Sequence, residues 1–188
     1  MYVSLRVVKV GGSLFDWPEL PERLRAWLAA QESASMLLVP GGGPAADVIR
    51  AYDRTFHLGD EAAHWLALRS LTLNAHLLSG WLGLPVVTNW DANKSAILDA
   101  HGFCLEDESR TGCLPHSWQV TSDSIAARVA HVFAATRLVL LKSVNISKDA
   151  EWTGAAQQGF VDAYFPHLAQ QITVTAVNLR MCGGGSSH

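Results

Sequence analysis

Lys9-Val10-Gly11-Gly12-Ser13 is the first place in the chain where residue type and spacing suggest chemistry. Glycines directly after a strand let backbone amides approach an anion, and Lys9 adds a compact positive charge. A tight turn with an exposed lysine is the plain alternative. The order is not that of a Walker loop, and no GxGxxG follows a strand. Pro40-Gly41-Gly42-Gly43-Pro44 is a second strand-to-helix turn. Three successive glycines cost conformational entropy, so they point to a nest for a phosphate or carboxylate, or else to a sharp turn. Thr121-Ser122-Asp123-Ser124 opens a helix. Ser and Asp are ordinary N-cap residues, but Asp123 could also orient a lysine or a magnesium ion beside phosphates. Finally, the apolar run from Leu138 leads through Lys142 and Ser143 into a polar loop containing Lys148 and Asp149. That loop reads as a nucleotide holder or as a plain solvated connection.

Other chemistries find less support. Asp60 and His64 stand four apart, and Cys113 and His116 three apart, but neither pair has the further ligands of a tetrahedral zinc site. There is no G-x-S-x-G elbow and no arguable Cys/His nucleophile pair. His64, Trp65 and Arg69 on one long helix could line a substrate pocket, with Trp65 favoured as core.

Alternating strands and helices must position these residues. Apolar runs at Leu5–Val10, Met36–Val39, Leu84–Thr88, Arg137–Lys142 and Ile172–Val177 read as strands. Helical spacing predicts helices from Pro18 to about Glu32, across Ala45–Tyr52, over Asp60–Leu82, over Ser122–Ala135 and from about Gly159 to Gln170. On the long helix, Leu66, Leu73, Leu77 and Trp81 define the expected apolar face. Residues 89–119 show no clear period. Strands apolar throughout, alternating with helices, imply an α/β fold: a three-layer αβα sandwich with a mostly parallel central sheet. Ligands then sit beyond the carboxyl ends of the strands, which gathers both glycine turns and the segment after Lys142 at one edge.

The chain's 188 residues are 49% hydrophobic and 16% charged, with a formal net charge of −3, which excludes intrinsic disorder. A pI near 6.2 lacks the basic footprint of a nucleic-acid binder. No apolar run has the length of a membrane span, and Met1 leads straight into a strand without a signal peptide, so a cytoplasmic protein is expected. Three cysteines without CxxC spacing fit reduced thiols, and the sequons at Asn93 and Asn145 are read as chance. Residues 1–182 are expected to form one domain, with 183–188 a flexible tail. Seven tryptophans and the long apolar helix suggest a homo-oligomer, a dimer or larger.

In this order, Val7–Leu14, Leu37–Arg50, Trp118–Ala130 and Leu138–Ile146 resemble the amino acid kinase family, the kinases of N-acetylglutamate, aspartate, carbamate, uridylate and isopentenyl phosphate. Compact length, the Leu58–Leu71 stretch and the Trp118–Ala126 run make the chain most similar to the small (aminomethyl)furanmethyl phosphate kinases of methanofuran biosynthesis. The resemblance implies an ATP-dependent kinase, with Mg²⁺ carried on the ATP phosphates and held by no dedicated metal site. It implies a small-molecule acceptor, phosphorylated or carboxylated, and no nucleic-acid or membrane partner. Lys9 would neutralise β/γ-phosphate charge, and Gly11, Gly12 and Ser13 would offer amides to the transferred group. Gly41, Gly42 and Gly43 would bind the acceptor, Asp123 would organise the lysines or magnesium, and Lys142–Asp149 would form the nucleotide loop together with Ser122.

Two departures stand out. The Gly-Met-x-x-Lys region of larger family members is replaced by Gly159-Phe160-Val161-Asp162, which lacks a lysine, and Thr-Asp-Val-Asp-Gly is replaced by Lys142-Ser143-Val144-Asn145-Ile146. Lys142 or Lys148 would have to substitute for the absent lysine. Two alternatives follow from these departures and from the family: a non-catalytic nucleotide-binding storage or regulatory protein, and an acyl-phosphate-forming kinase of the carbamate or amino acid type.

Overall fold

The computed structural model describes residues 4–31, 34–90, 94–147 and 151–182. Glu32, Asn93, Lys148, Asp149 and the tail from Gly183 lie outside them. Six strands, β1 (Leu5–Val10), β2 (Ser35–Pro40), β3 (Val86–Val87), β4 (Ala96–Leu98), β5 (Arg137–Lys142) and β6 (Val174–Asn178), form one sheet. Their order is β3-β4-β2-β1-β5-β6, and every neighbouring pair is parallel. Seven helices connect and cover them: α1 (Leu20–Ala29), α2 (Gly43–Phe56), α3 (Gly59–Leu82), α4 (Ala100–Asp107), α5 (Ser122–Val132), α6 (Trp152–Gln157) and α7 (Phe165–Ala169).

The central strands are apolar throughout because both faces of the sheet are covered. Val7, Leu138 and Leu140 pack with Ile125, Ala126 and Val129 of α5, while Val8, Val10 and Leu141 pack with Leu20 and Leu24 of α1. Each fully buried leucine contributes roughly 1.5–3 kcal/mol over its exposed state. The expected three-layer αβα sandwich is the fold observed. β1 lies between β2 and β5, so the sheet grows in both directions from it. A crevice therefore opens beyond the carboxyl ends of these three strands, where the two glycine turns and the segment after Lys142 emerge.

Several elements differ from the sequence expectation. α1 starts at Leu20, with Pro21 rather than Pro18 in its first turn. α5 stops at Val132, and Ala134 takes a left-handed φ of 50°. The helix expected over Gly159–Gln170 is reduced to α7, while α6 precedes that range in a stretch read as polar loop, and Gly159 at φ 72° separates the two. Within residues 89–119, β4 and α4 had no visible period. β4 is three residues long, and α4 follows at once, its start held by the Asp99 side chain accepting from the His101 amide.

The long helix spans its expected range but buries another face. Ala63, His64, Leu68, Leu71, Ala75 and Leu78 are buried, whereas Leu73 and Leu77 are exposed. α3 serves two cores in succession, with Leu68 and Leu71 packing on one side of the sheet and Ala75 and Leu78 on the other. No single apolar stripe can serve both. Trp65 packs against the first core, as expected, and Arg69 is exposed. Among the described residues no helix is long and apolar enough to cross a membrane. Cys104 is buried, Cys113 exposed and Cys182 half-buried, all as free thiols.

Candidate active site

Strand alternation explains how two lysines come together. Along β1, Leu5 and Val7 point to the α5 face and Lys9 continues that row; along β5, Leu138 and Leu140 do so and Lys142 follows. In register, Lys9 lies beside Leu140, so Lys142 sits one step further along the neighbouring strand. The first turn of α5 lowers Asp123 between them. The Lys9 Nζ is 2.9 Å from Asp123 Oδ1, and the Lys142 Nζ donates to both Asp123 oxygens at 2.8 Å and to the Phe160 carbonyl at 2.7 Å. Relative exposures of 4%, 4% and 7% for Lys9, Asp123 and Lys142 make this a buried charge cluster carrying one net positive charge.

Burial works to raise the Asp123 carboxyl, but the ammoniums of Lys9 and Lys142 outweigh it and hold the carboxyl below the ordinary carboxylate range. Burial, and after it repulsion from Lys9, lowers the Lys142 ammonium to about 8 in spite of Asp123.

The α5 start is not capped by its own residues. Thr121 occupies the N-cap position without a side-chain cap bond. Asp162, from the loop between α6 and α7, accepts instead on one oxygen from the amides of Thr121 and Ser124 and the Thr121 hydroxyl, and on the other from the Ser124 hydroxyl and the Phe165 amide. Asp123 is thereby left free for the lysines. Sequence reasoning missed Asp162, although it lies in the very Gly159–Asp162 segment noted for its missing lysine.

The two glycine turns touch each other. A Cβ on Gly41 would stand 2.4 Å from the Gly12 nitrogen, and one on Gly43, itself at φ 52°, would stand 2.5 Å from the Gly12 carbonyl oxygen. Close backbone approach, more than the turns themselves, requires glycine there. The Gly11 amide donates to Leu141 and the Gly41 amide to Val10, both at 2.8 Å, so neither is available to a ligand. Of the six glycine and serine positions singled out in the sequence, these two thus have their amides committed within the protein. From α3, the buried Asn74 amide donates to the carbonyls of Gly41 and Gly42 at 2.7 and 2.9 Å, fixing the second turn. One buried polar residue within Leu71-Thr72-Leu73-Asn74-Ala75 was the signal for it.

Two cavities meet at these turns. The larger, about 670 Å³, is lined by Lys9, Gly11, Asp123, Lys142, Ser143 and Gly159. The smaller, about 360 Å³, is floored by Gly42 and Gly43 and walled by His64, Ser122 and Leu68. Gly12, Ser13, Arg50, Trp118 and Thr121 line both. Ser122 thus faces the smaller cavity, away from the lysines, whereas Ser143 lies with them and shares a 2.8 Å hydroxyl contact with Ser13. Gly41 lines neither cavity.

No protein cradle for a metal ion is built here. Asp123 is taken up by two lysines and Asp162 by the α5 start, and among the described residues no group of three or more histidine, cysteine or carboxylate side chains is arranged to hold a metal ion.

His64 stacks on His116, with ring centroids 4.4 Å apart and an interplanar angle of 16°. Both His116 nitrogens meet carboxylates, Glu61 at 2.5 Å and Glu108 at 2.9 Å, so this ring takes part in an ion-pair network. Burial, then the His116 charge, lowers His64 to about 4. Burial opposes the His116 cation, but its hydrogen bonds to Glu61 and Glu108 raise it overall. Unfolded His64 takes up a proton near pH 6.5 and native His64 only near 4, so stability falls on acidification through that window. His116 acts oppositely: its stabilisation is full below its unfolded value of 6.5 and is lost as pH rises through its raised native value. Urea midpoints measured across this range should peak near pH 6.5, and His64→Gln should flatten the acid side. An acid limb unchanged in that variant would reject the assignment.

No family model matches the chain. Over 149 residues, covering 75% of this chain and 67% of the relative, the sequence is 25% identical to the [5-(aminomethyl)furan-3-yl]methyl phosphate kinase of Methanocaldococcus jannaschii. Among solved structures, the uridylate kinase of Archaeoglobus fulgidus superposes with a TM-score of 0.62 at 14% identity, over 93% of this chain and 90% of that one. The carbamate kinase of Giardia lamblia bound to AMP-PNP does so with a TM-score of 0.56 at 11% identity, over 94% and 93%. The chain thus has the amino acid kinase fold and is similar in sequence to a curated kinase of that kind.

Proposed function

We propose that the protein transfers the γ-phosphoryl group of ATP to a small phosphorylated or carboxylated metabolite. The observation that carries this reading is the joining of two cavities at Gly12 and Ser13, with Lys9 and Lys142 in the larger one only. ATP occupies the larger cavity, with Ser143 and Val144 beside it and its γ-phosphate at the shared turn. The acceptor occupies the smaller one, over Gly42 and Gly43 and against His64 and Ser122. Phosphoryl transfer asks little covalent help of a protein, so alignment and fixed charge supply the rate. Lys9 and Lys142 offset charge on the donor phosphates, and Asp123 keeps both ammoniums in place. Mg²⁺ enters on the ATP phosphates, since the carboxylates here are occupied.

The acceptor we favour is that of the curated relative, which would place the reaction in the assembly of a methanofuran-type one-carbon cofactor. Asp16, paired with Arg180 at 2.9 Å, and Asp47, paired with Arg50 at 2.8 Å, each bring a second carboxylate oxygen to the smaller cavity, and these suit an acceptor bearing a primary ammonium. A non-catalytic nucleotide binder is the weaker reading, because Lys142 supplies a second cation where the family's lysine is missing. Incubation with Mg-ATP and [5-(aminomethyl)furan-3-yl]methyl phosphate should release ADP and yield a stable diphosphate. An acyl phosphate trapped by hydroxylamine would move the assignment to carboxylated acceptors. Tight ATP binding with no ADP from either acceptor class would overturn it in favour of a storage protein.

A homo-oligomer is part of the same proposal. Val48, Tyr52 and Phe56 repeat every fourth residue along α2, all exposed, and Leu73 and Leu77 are exposed on α3, which packs against it. Light scattering at micromolar concentration should give at least twice the mass of one chain, and Phe56→Glu should lower it. A single-chain mass for the unaltered protein would remove this part of the proposal.

A further inference from the structure

Arg50 carries a feature that neither the family assignment nor the lysine cluster explains. It projects from α2, about two turns beyond the Gly42–Gly43 floor, and lines both cavities. The lining of the smaller cavity contains no other lysine or arginine among the described residues, and its remaining titratable groups are Asp16, Asp47 and the neutral His64. Arg180 stands behind that lining, engaged by the Ser13 carbonyl at 3.1 Å and Asp16 at 2.9 Å, so Arg50 is the cation that faces a phosphorylated acceptor.

That cation is braced. The Arg50 guanidinium carbon lies 4.9 Å from the centroid of the Trp118 ring, and one terminal nitrogen donates to Asp47 at 2.8 Å. Trp118 is fixed in turn by its indole N–H, which donates to Asp53 at 2.8 Å. Asp47, Arg50 and Asp53 follow at helical spacing on α2, so one helix supplies the cation, its carboxylate partner and the anchor for its aromatic platform. A surface arginine would ordinarily spend rotamer entropy to grip an anion; stacking and the Asp47 contact hold this one in place beforehand. Of its five N–H donors one is used by Asp47, which leaves the fork able to meet a phosphate through two parallel bonds.

We infer that Arg50 is the acceptor-selecting residue, taking the phosphate of the acceptor in bidentate fashion and turning one of its oxygens toward the shared Gly12–Ser13 turn. The inference rests on the two-substrate reading above and deepens it. Lys9 and Lys142 already serve the larger cavity, so Arg50 is assigned to the acceptor and not to the nucleotide.

Calorimetric titration separates the two claims. AMP-PNP titrated into the intact protein reports the donor cavity. [5-(aminomethyl)furan-3-yl]methyl phosphate and inorganic phosphate, titrated into the AMP-PNP complex, report the acceptor cavity. Charged hydrogen bonds of this kind correspond to about 10–100-fold in affinity. Arg50→Gln should therefore weaken acceptor binding by about that factor, and Arg50→Lys by nearly as much because the fork and stack are lost. AMP-PNP affinity should move less than about threefold, and kinetics should show KM for the acceptor rising more than kcat falls. Trp118→Leu, which keeps Arg50 but removes its platform, should give a smaller loss in the same direction. Acceptor affinity unchanged in Arg50→Gln, a loss confined to AMP-PNP, or no heat from either anion with a wild-type complex that binds AMP-PNP would each overturn the assignment of Arg50. Failure of wild-type protein to bind AMP-PNP would instead count against the kinase reading itself.

Discussion

Lys9→Ala should lower kcat for ADP release by about 10²-fold or more, the scale seen when one fixed donor to developing charge is removed. The fold should survive it, because Asp123 keeps Lys142 as a partner at 2.8 Å and the site then holds one cation and one anion. Lys9→Met, which fills most of the volume, separates lost charge from a cavity left behind. Both variants should melt close to the parent while both lose turnover. Lys142 of the parent discharges near pH 8, so its kcat should fall as pH rises through that value, and loss of the Lys9 repulsion in Lys9→Ala should move this fall to higher pH. Turnover like that of the parent in Lys9→Ala would remove Lys9 from the mechanism, whatever the fate of Arg50.

Asp123→Asn should be the most destabilising conservative change at the site. It leaves two ammoniums, both within 3 Å of a now neutral side chain, in a cluster where every side chain is buried. Removing one partner from a buried ion pair costs about 3–5 kcal/mol. Net charge at the cluster rises from +1 to +2, so Lys142, already lowered to about 8, should titrate lower still. Adding Lys9→Met to Asp123→Asn returns the cluster to +1 and should recover part of the lost stability without recovering activity. Urea unfolding of the two single variants and the double variant tests this cycle. A double variant no more stable than Asp123→Asn alone would show that charge balance is not what the aspartate provides. Acid acts on the same carboxyl: Asp123 lies below its ordinary range in the native state, so its stabilisation is present above pH 3.8 and is lost as pH falls further.

The strands were readable because both faces of a parallel sheet select continuous apolar runs, and β1, β2 and β5 emerged within one residue of their expected ends. Helix α3 was readable as a helix, but its buried face was not. Periodicity identifies an apolar stripe only when the helix meets one core, and α3 meets two. β4 and α4 escaped because three strand residues and a short helix carry too little pattern to stand out from their surroundings. At the site, Lys9, Asp123 and Lys142 could be nominated by type and by their places at strand and helix ends. Asp162, Asn74 and the Trp118 platform under Arg50 could not, since the partners that define their roles lie 32 to 65 positions away in the chain.

Local order along the chain determined which residues end strands, which open helices and therefore which groups arrive at the carboxyl rim of the sheet. That much follows from side-chain period and backbone sterics, and both are properties of short segments. Tertiary structure decided which of those groups are free to act. Register between β1 and β5 committed the Gly11 amide to Leu141, and that between β1 and β2 committed the Gly41 amide to Val10; a capping carboxylate from the far loop released Asp123 for the lysines. Hydrogen bonds saturate their partners, so availability at a site is settled by the whole set of neighbours and never by one residue's chemistry alone.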